Sequence, residues 1–159
     1  MRYAITACRM LLFLAFCMIS SGQEAAHKFA YDKTKEAKLE GTVFEVVKQD
    51  GCEVKPDSGT HLRVLDPAAP KPAPGATPET IDVFAGPTWF LKEMDINLAK
   101  DDKVEMTGVW FTLNEKKMFV ARLIKKNKDE YLLRDETGAP VWTWLDGYKT
   151  CKAADAKKN

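Results

Sequence analysis

Histidine is almost missing from this chain: His27 and His61 are the only two in 159 residues. A tetrahedral zinc site draws on about four closely spaced ligands, and His61 with the nearby Cys52 falls short of that. The sequence also lacks a glycine-rich phosphate loop, a helical pair of histidines and a Ser/His/Asp grouping at a recognisable spacing. Acids are plentiful, but none stands in an identifiable acid/base pair. The expectation is a non-enzymatic protein with no cofactor and no metal.

Charge of one sign is equally scarce. The chain carries 24 Lys and Arg against 23 Asp and Glu, and its Lys-Lys pairs at 116–117, 125–126 and 157–158 are interspersed with acids. Nucleic-acid binders usually show a clear basic excess, so a nucleic-acid partner is disfavoured. Long apolar runs are missing too, apart from "MLLFLAFCMI" at residues 10–19. That run follows Arg2 and Arg9, is too short to span a bilayer, and leads into the small residues Ser20 and Gly22. This is the pattern of a cleaved signal peptide, residues 1–22, with Ala26 as a later cleavage point. A lipoprotein reading fits poorly, because Phe16 rather than a small residue precedes Cys17. Loss of the two leader arginines leaves 22 bases against 23 acids, a net charge of −1, and a mature chain with no transmembrane segment, placed in the periplasm or secreted.

Export reduces the cysteines to Cys52 and Cys151. In an oxidising compartment such a pair is most simply a disulfide, closing a loop of about 100 residues and contributing up to about 4–5 kcal/mol. Two separate thiols, one on a loop and one on a tail, are the plainer alternative.

What remains is mostly β pattern. Residues 23–37 form a polar, aperiodic lead-in, and a domain follows over 38–150. "LEGTVFEVV" spaces Leu39, Val43 and Val47 as a strand, with Gly41 marking a bulge or bend. "THLRVLD" sets Leu62, Val64 and Asp66 against His61, Arg63 and Leu65. Five prolines in "PAAPKPAPGATP", residues 67–78, cannot join a sheet and read as a protruding loop insertion. "ETIDVFAG" places Ile81 and Val83 inward. "KVEMTGVWFTL" and "KMFVARLIKK" form a hairpin across "NEK", and "EYLLRDETGAPVW" a last one through "DETG". Residues 151–159 are a polar tail.

One stretch breaks the pattern. "GPTWFLKEMDINL", residues 86–98, begins with Gly-Pro, suited to a helix start, and then spaces Phe90, Leu91 and Met94 on one helical face with Trp89 at its edge. Five or six strands with one helix between the third and fourth is the order of an OB-like Greek-key barrel, an all-β fold. Trp89, Phe90 and Met94 are then expected as the buried barrel plug. An SH3-like barrel is the structural rival and usually lacks the helix.

The segments "LEGTVFEVV", "GPTWFLKEMDINLAKDDKVEMTG" and "ARLIKKNKDEYLLRDETGAPVW" resemble small exported bacterial OB-like domains, in particular the domain in the N-terminal part of the magnetosome-associated MamS/MamX proteins. The resemblance covers about residues 38–142. Its marker is Gly-Pro-x-Trp-[Phe/Tyr]-Leu before a Gly-x-[Lys/Arg]-Val strand start, here Asp102-Lys103-Val104 with Asp in place of Gly. It implies an OB-like fold and says little about activity. Some relatives carry a Cys-x-x-Cys-His haem motif that this chain lacks, so haem chemistry does not carry over.

The function expected is an exported binding or scaffold domain with an unidentified protein or small-ligand partner in the envelope. Its ligand face is expected at Trp110, Arg122 and Arg134, exposed in a sheet groove. A binder of single-stranded nucleic acid or oligosaccharide on the same face is the alternative, since aromatic platforms serve such ligands. Trp142 and Trp144 are expected on one strand face, covering the barrel's open end near Cys151.

Overall fold

The computed structural model describes residues 30–49, 58–113 and 115–155. Six strands dominate: β1 (Ala37–Lys48), β2 (Thr60–Leu65), β3 (Thr80–Gly86), β4 (Lys103–Leu113), β5 (Lys116–Lys126) and β6 (Asp129–Leu132). A short helix α1 (Thr88–Glu93) lies between β3 and β4, and a second, α2 (Asp146–Asp155), follows β6. The sheet order is β3-β2-β1-β4-β5-β6, and a parallel pairing of β3 with β5 joins the sheet to itself. The result is a closed five-stranded OB-like barrel with β6 added outside β5. The helix between β3 and β4 is where the sequence places it, which decides against the SH3-like alternative.

β1 is the strand that bends the sheet into a barrel. Its first half, Ala37 to Thr42, pairs with β4, and from Val43 it pairs with β2. The changeover needs two local devices. Phe44 is an extra residue, because Val43 faces Val64 and Glu45 already faces Arg63; such bulges bend and twist a strand. Gly41 is where β1 passes closest to β2, since a Cβ there would come 2.4 Å from the Val64 side chain. The bulge expected at Gly41 is therefore three residues further on, and the glycine serves the close approach.

A second bulge sits in β5. Thr107 faces Leu123 and Gly108 faces Ala121, so Arg122 is unpaired in the ladder. The side-chain parity of β5 switches there. Ile124 points inward opposite Met106, and beyond the bulge Phe119 points inward beside Val83. Leu62, Val64, Val83, Phe119 and Ile124 are fully enclosed and fill the barrel with branched and aromatic side chains.

A smaller core lies on the outer surface. Phe84 and Val120 are neighbours across the β3–β5 seam on the face opposite Val83, yet both are buried. Trp142 covers Phe84 edge-on with ring centroids 6.5 Å apart and also meets Phe90 of α1 at 5.4 Å. Residues 133–145 are thus a strap over the seam. The expected final hairpin through "DETG" is reduced to a single bridge between Arg134 and Pro140. The residues that were to form its second strand turn instead into a 3-10 helix, Val141–Trp144. Next in the chain, α2 extends into what reads as a polar tail.

α1 is shorter than its apolar spacing suggests. Pro87 stands at its N-cap, and the helix ends at Glu93. Asp95 takes φ 52°, and the Ile96 N–H returns to the Leu91 carbonyl at 2.8 Å, a Schellman-type ending with Asp where glycine is usual. Of the expected plug residues Phe90 is buried, packed against Trp142, and Trp89 is half-buried; Leu91 beside them is buried too. Met94 is a correction: the helix has already ended, the side chain falls outside the packed face, and it is 52% exposed.

Candidate functional site

β4 and β5 form a long hairpin, and Trp110 stands near its tip opposite Phe119. Both belong to the inner face, but the barrel wall is ending there, and Trp110 remains 39% exposed at the rim. Its ring meets Phe119 edge-on, centroids 5.2 Å apart. The Lys117 ammonium lies 4.3 Å from the ring centroid, a cation–π contact of about 0.5–1 kcal/mol at an exposed site. An indole backed by a phenyl ring and overlaid by a movable cation can accept a flat or apolar group with an acidic neighbour.

Arg122 is not part of that surface. As the extra residue of the β5 bulge it turns toward the lead-in, where its Nε–H and Nη2–H donate to the two carboxylate oxygens of Glu36, the latter at 3.3 Å. Tyr31 donates its hydroxyl proton to the same carboxylate at 2.8 Å, and Glu136 approaches Arg122 at 3.6 Å while pairing with Lys33. Burial alone pushes the Glu36 carboxyl up, but the hydrogen bonds from Arg122 and Tyr31 outweigh it and hold Glu36 below the usual carboxylate range. Burial and the adjacent Glu36 push the Tyr31 hydroxyl well above its ordinary value. A carboxylate held ionised by a two-pronged guanidinium is a poor base. The cluster ties residues 31–36 to the barrel, so Arg122, expected in an exposed groove, is a structural anchor.

Arg134 is corrected in the same way. It is only 2% exposed, with its guanidinium 5.2 Å from the Trp142 ring centroid and 5.6 Å from that of Tyr31. Its Nη1–H donates to the Gly138 carbonyl at 3.2 Å. Burial lowers its pKa to about 10. The reason for the inward turn is the Asp135 loop: the Asp135 carboxylate accepts from the N–H of Thr137 and of Ala139. Gly138 takes φ 85° directly against the Tyr31 ring, where a Cβ would lie 2.4 Å away. The chain therefore doubles back over Arg134. Trp142 and Trp144 do not share a face, because the segment is helical: Trp142 is enclosed and Trp144 is 67% exposed.

His61 lies on the outer face of β2, its Nδ1 2.7 Å from Asp82 and its ring against Phe84. Among the described residues no three His, Cys, Asp or Glu side chains gather where they could hold a metal ion. Cys151 is half-buried on α2; Cys52, its expected partner, lies outside the described residues, as does the expected signal peptide. Among the described residues no helix is long and apolar enough to cross a membrane.

The anchor cluster was missed from sequence because its two sides come from the aperiodic lead-in and from a loop. One signal was present: Asp32-Lys33-Thr34 is an Asx-turn pattern, and Asp32 does accept from the Thr34 N–H at 3.1 Å.

Residues 75–131 match the family model of the MamS/MamX magnetosome protein family. That span runs from the end of the Pro-rich loop through β3, α1, β4 and β5 into β6, and it bears out the resemblance carried by the Gly-Pro-x-Trp segment. No curated protein matches the chain.

Proposed function

From a barrel whose middle third is similar to MamS/MamX proteins, we propose that this protein is exported, is cleaved after Gly22, and works without catalysis as a binding or scaffold domain. The observation that carries the reading is Trp110, a large aromatic left open at the barrel rim beneath a lysine. Interfaces are enriched in such anchors. The Lys117 ammonium over the ring suits a protein partner presenting an aromatic or aliphatic side chain flanked by an acid. Stacking of a nucleobase or sugar on the same ring is the second reading, supported by the same aromatic–cation pair but not by the near-neutral net charge. The Cys52–Cys151 disulfide belongs to this proposal as the tie between the β1–β2 loop and α2.

The test is a photo-crosslinking residue at position 110 in cells, followed by mass spectrometry of the envelope fraction. A discrete protein adduct that disappears with Lys117→Glu is the expected result. Adducts equally abundant from position 144 count against it, and retardation of oligonucleotides at low salt favours the second reading. The intact mass of the purified mature chain, without reductant, is expected to begin at Gln23 and to lack two hydrogens.

A further inference from the structure

A cleft of about 330 Å³ opens between α1, the return to β4, and the end of the barrel where β1 finishes and β2 begins. It exists because α1 stops early. The chain doubles back at Asp95 and runs past Leu98 to β4, leaving a gap over the inward-facing Val46. The return is held firmly: Lys126 pairs with Asp102 at 2.7 Å and donates to the Asn97 carbonyl at 2.8 Å, while Asp102 accepts from the Ala99 N–H.

Val46, Leu91, Ile96 and Leu98 give the cleft an apolar floor. Lys48 and Lys92 line its mouth, both exposed and neither ion-paired among the described residues; Asp95 is the one acid beside them. The hydroxyls are already committed. Thr88 donates to the Gln49 carbonyl at 3.0 Å, so the 3.1 Å contact between Thr88 and Thr60 must have Thr60 donating. Each threonine therefore turns only lone pairs toward the cleft. Lone pairs repel a carboxylate, which leaves the two ammonium groups as its seat and the apolar floor for the rest of the molecule.

We propose that this cleft binds a small amphiphilic anion, an unbranched aliphatic carboxylate, with its head at Lys48 and Lys92 and its tail on Val46, Leu91, Ile96 and Leu98. The volume is at the lower end of ligand pockets, which suits a medium-length chain. The site shares no lining residue with the Trp110 rim, so it is independent of the contact proposed there.

An amide-resolved NMR titration of the full chain with sodium hexanoate, octanoate and octanol tests this. Octanoate is expected to shift the signals of residues 46–48, 60 and 88–98, to bind about tenfold more tightly than hexanoate for its two extra methylenes, and to bind more tightly than octanol. Lys48→Glu/Lys92→Glu, at exposed positions, is expected to weaken octanoate at least tenfold while leaving octanol unchanged. Shifts centred on Trp110, no saturable shift at millimolar octanoate, or equal binding of octanoate by the charge-reversed variant would overturn the proposal.

Discussion

Two arginines expected in an exposed groove are instead drawn into contacts that cover them, Arg122 for the most part and Arg134 almost wholly, and at the residue scale this is where charge and burial meet most closely. Breaking a buried ion pair leaves an uncompensated charge, which typically destabilises by about 3–5 kcal/mol. Arg122→Ala should lie near the lower end of that range, since both partners keep a little solvent contact, and urea denaturation measures it. The pH dependence follows from Glu36. Its folded pKa is depressed below the ordinary 4.5, so the unfolded chain takes up a proton first as pH falls. The stabilisation is complete above pH about 4.5 and is lost as the pH drops through the folded value. Stability measured from pH 6 to pH 3 should decline on that lower limb, and less steeply in Glu36→Gln. Trp142 offers a different contrast. Its indole N–H has no acceptor among the described residues, so Trp142→Phe removes little beyond volume and should cost about 1–1.5 kcal/mol. Trp142→Ala opens a cavity under the strap and should cost about 3–5 kcal/mol. Nothing in the local sequence separates Trp142 from Trp144: the two-residue spacing that puts them together on a strand puts them about 120° apart on a 3-10 helix.

At the element scale, the strands were legible because the barrel interior imposes period-two alternation wherever one face is enclosed. The faces of β5 were legible only in part. Met118, Val120, Arg122 and Ile124 read as one face, but the bulge at Arg122 switches parity in mid-strand, and no residue type there announces it. The length of α1 was misread for a related reason. Apolar spacing continues to Met94, while a left-handed Asp95, a residue less usual than glycine at such an ending, stops the helix. The Pro-rich loop was legible from composition alone, and the structure leaves nearly all of residues 67–78 exposed. Its ends are already joined by the β2–β3 ladder, with Leu65 opposite Thr80. Replacing 67–78 by a two-residue Asn-Gly turn should therefore leave the melting temperature within a few degrees, because shortening an exposed loop changes closure entropy only slowly. Differential scanning calorimetry of that variant checks it.

For the whole molecule, topology was easier to read than surface. One helix between the third and fourth of a series of short strands specifies a barrel, but which aromatics face outward depends on the bulges and on the strap of residues 133–145, whose pattern looks like one more hairpin. Of the three ligand-face residues expected, the rim retains Trp110 alone. Gly108 should report on the fold as a unit: a Cβ there would lie 2.2 Å from the Val120 carbonyl oxygen, so Gly108→Ala should destabilise the entire barrel, seen as loss of cooperative unfolding, and Gly75→Ala, where nothing lies within 4 Å, should change stability by less than about 1 kcal/mol despite its positive φ. Barrel closure itself rests on two residue pairs, Val83 with Phe119 and Phe84 with Val120. That contact joins segments on either side of α1 and all of β4, a separation exceeded among the described pairings only by that of β1 with β4, so it carries a large loop-closure entropy and should be among the later ones to form. Until it does, both partner edges lie bare, a template for pairing with another chain. The Trp142 strap covers this junction from outside. In kinetic terms it is a latch: weakening it should speed unfolding far more than it slows folding, and the first sign of damage should be aggregation from a half-opened barrel.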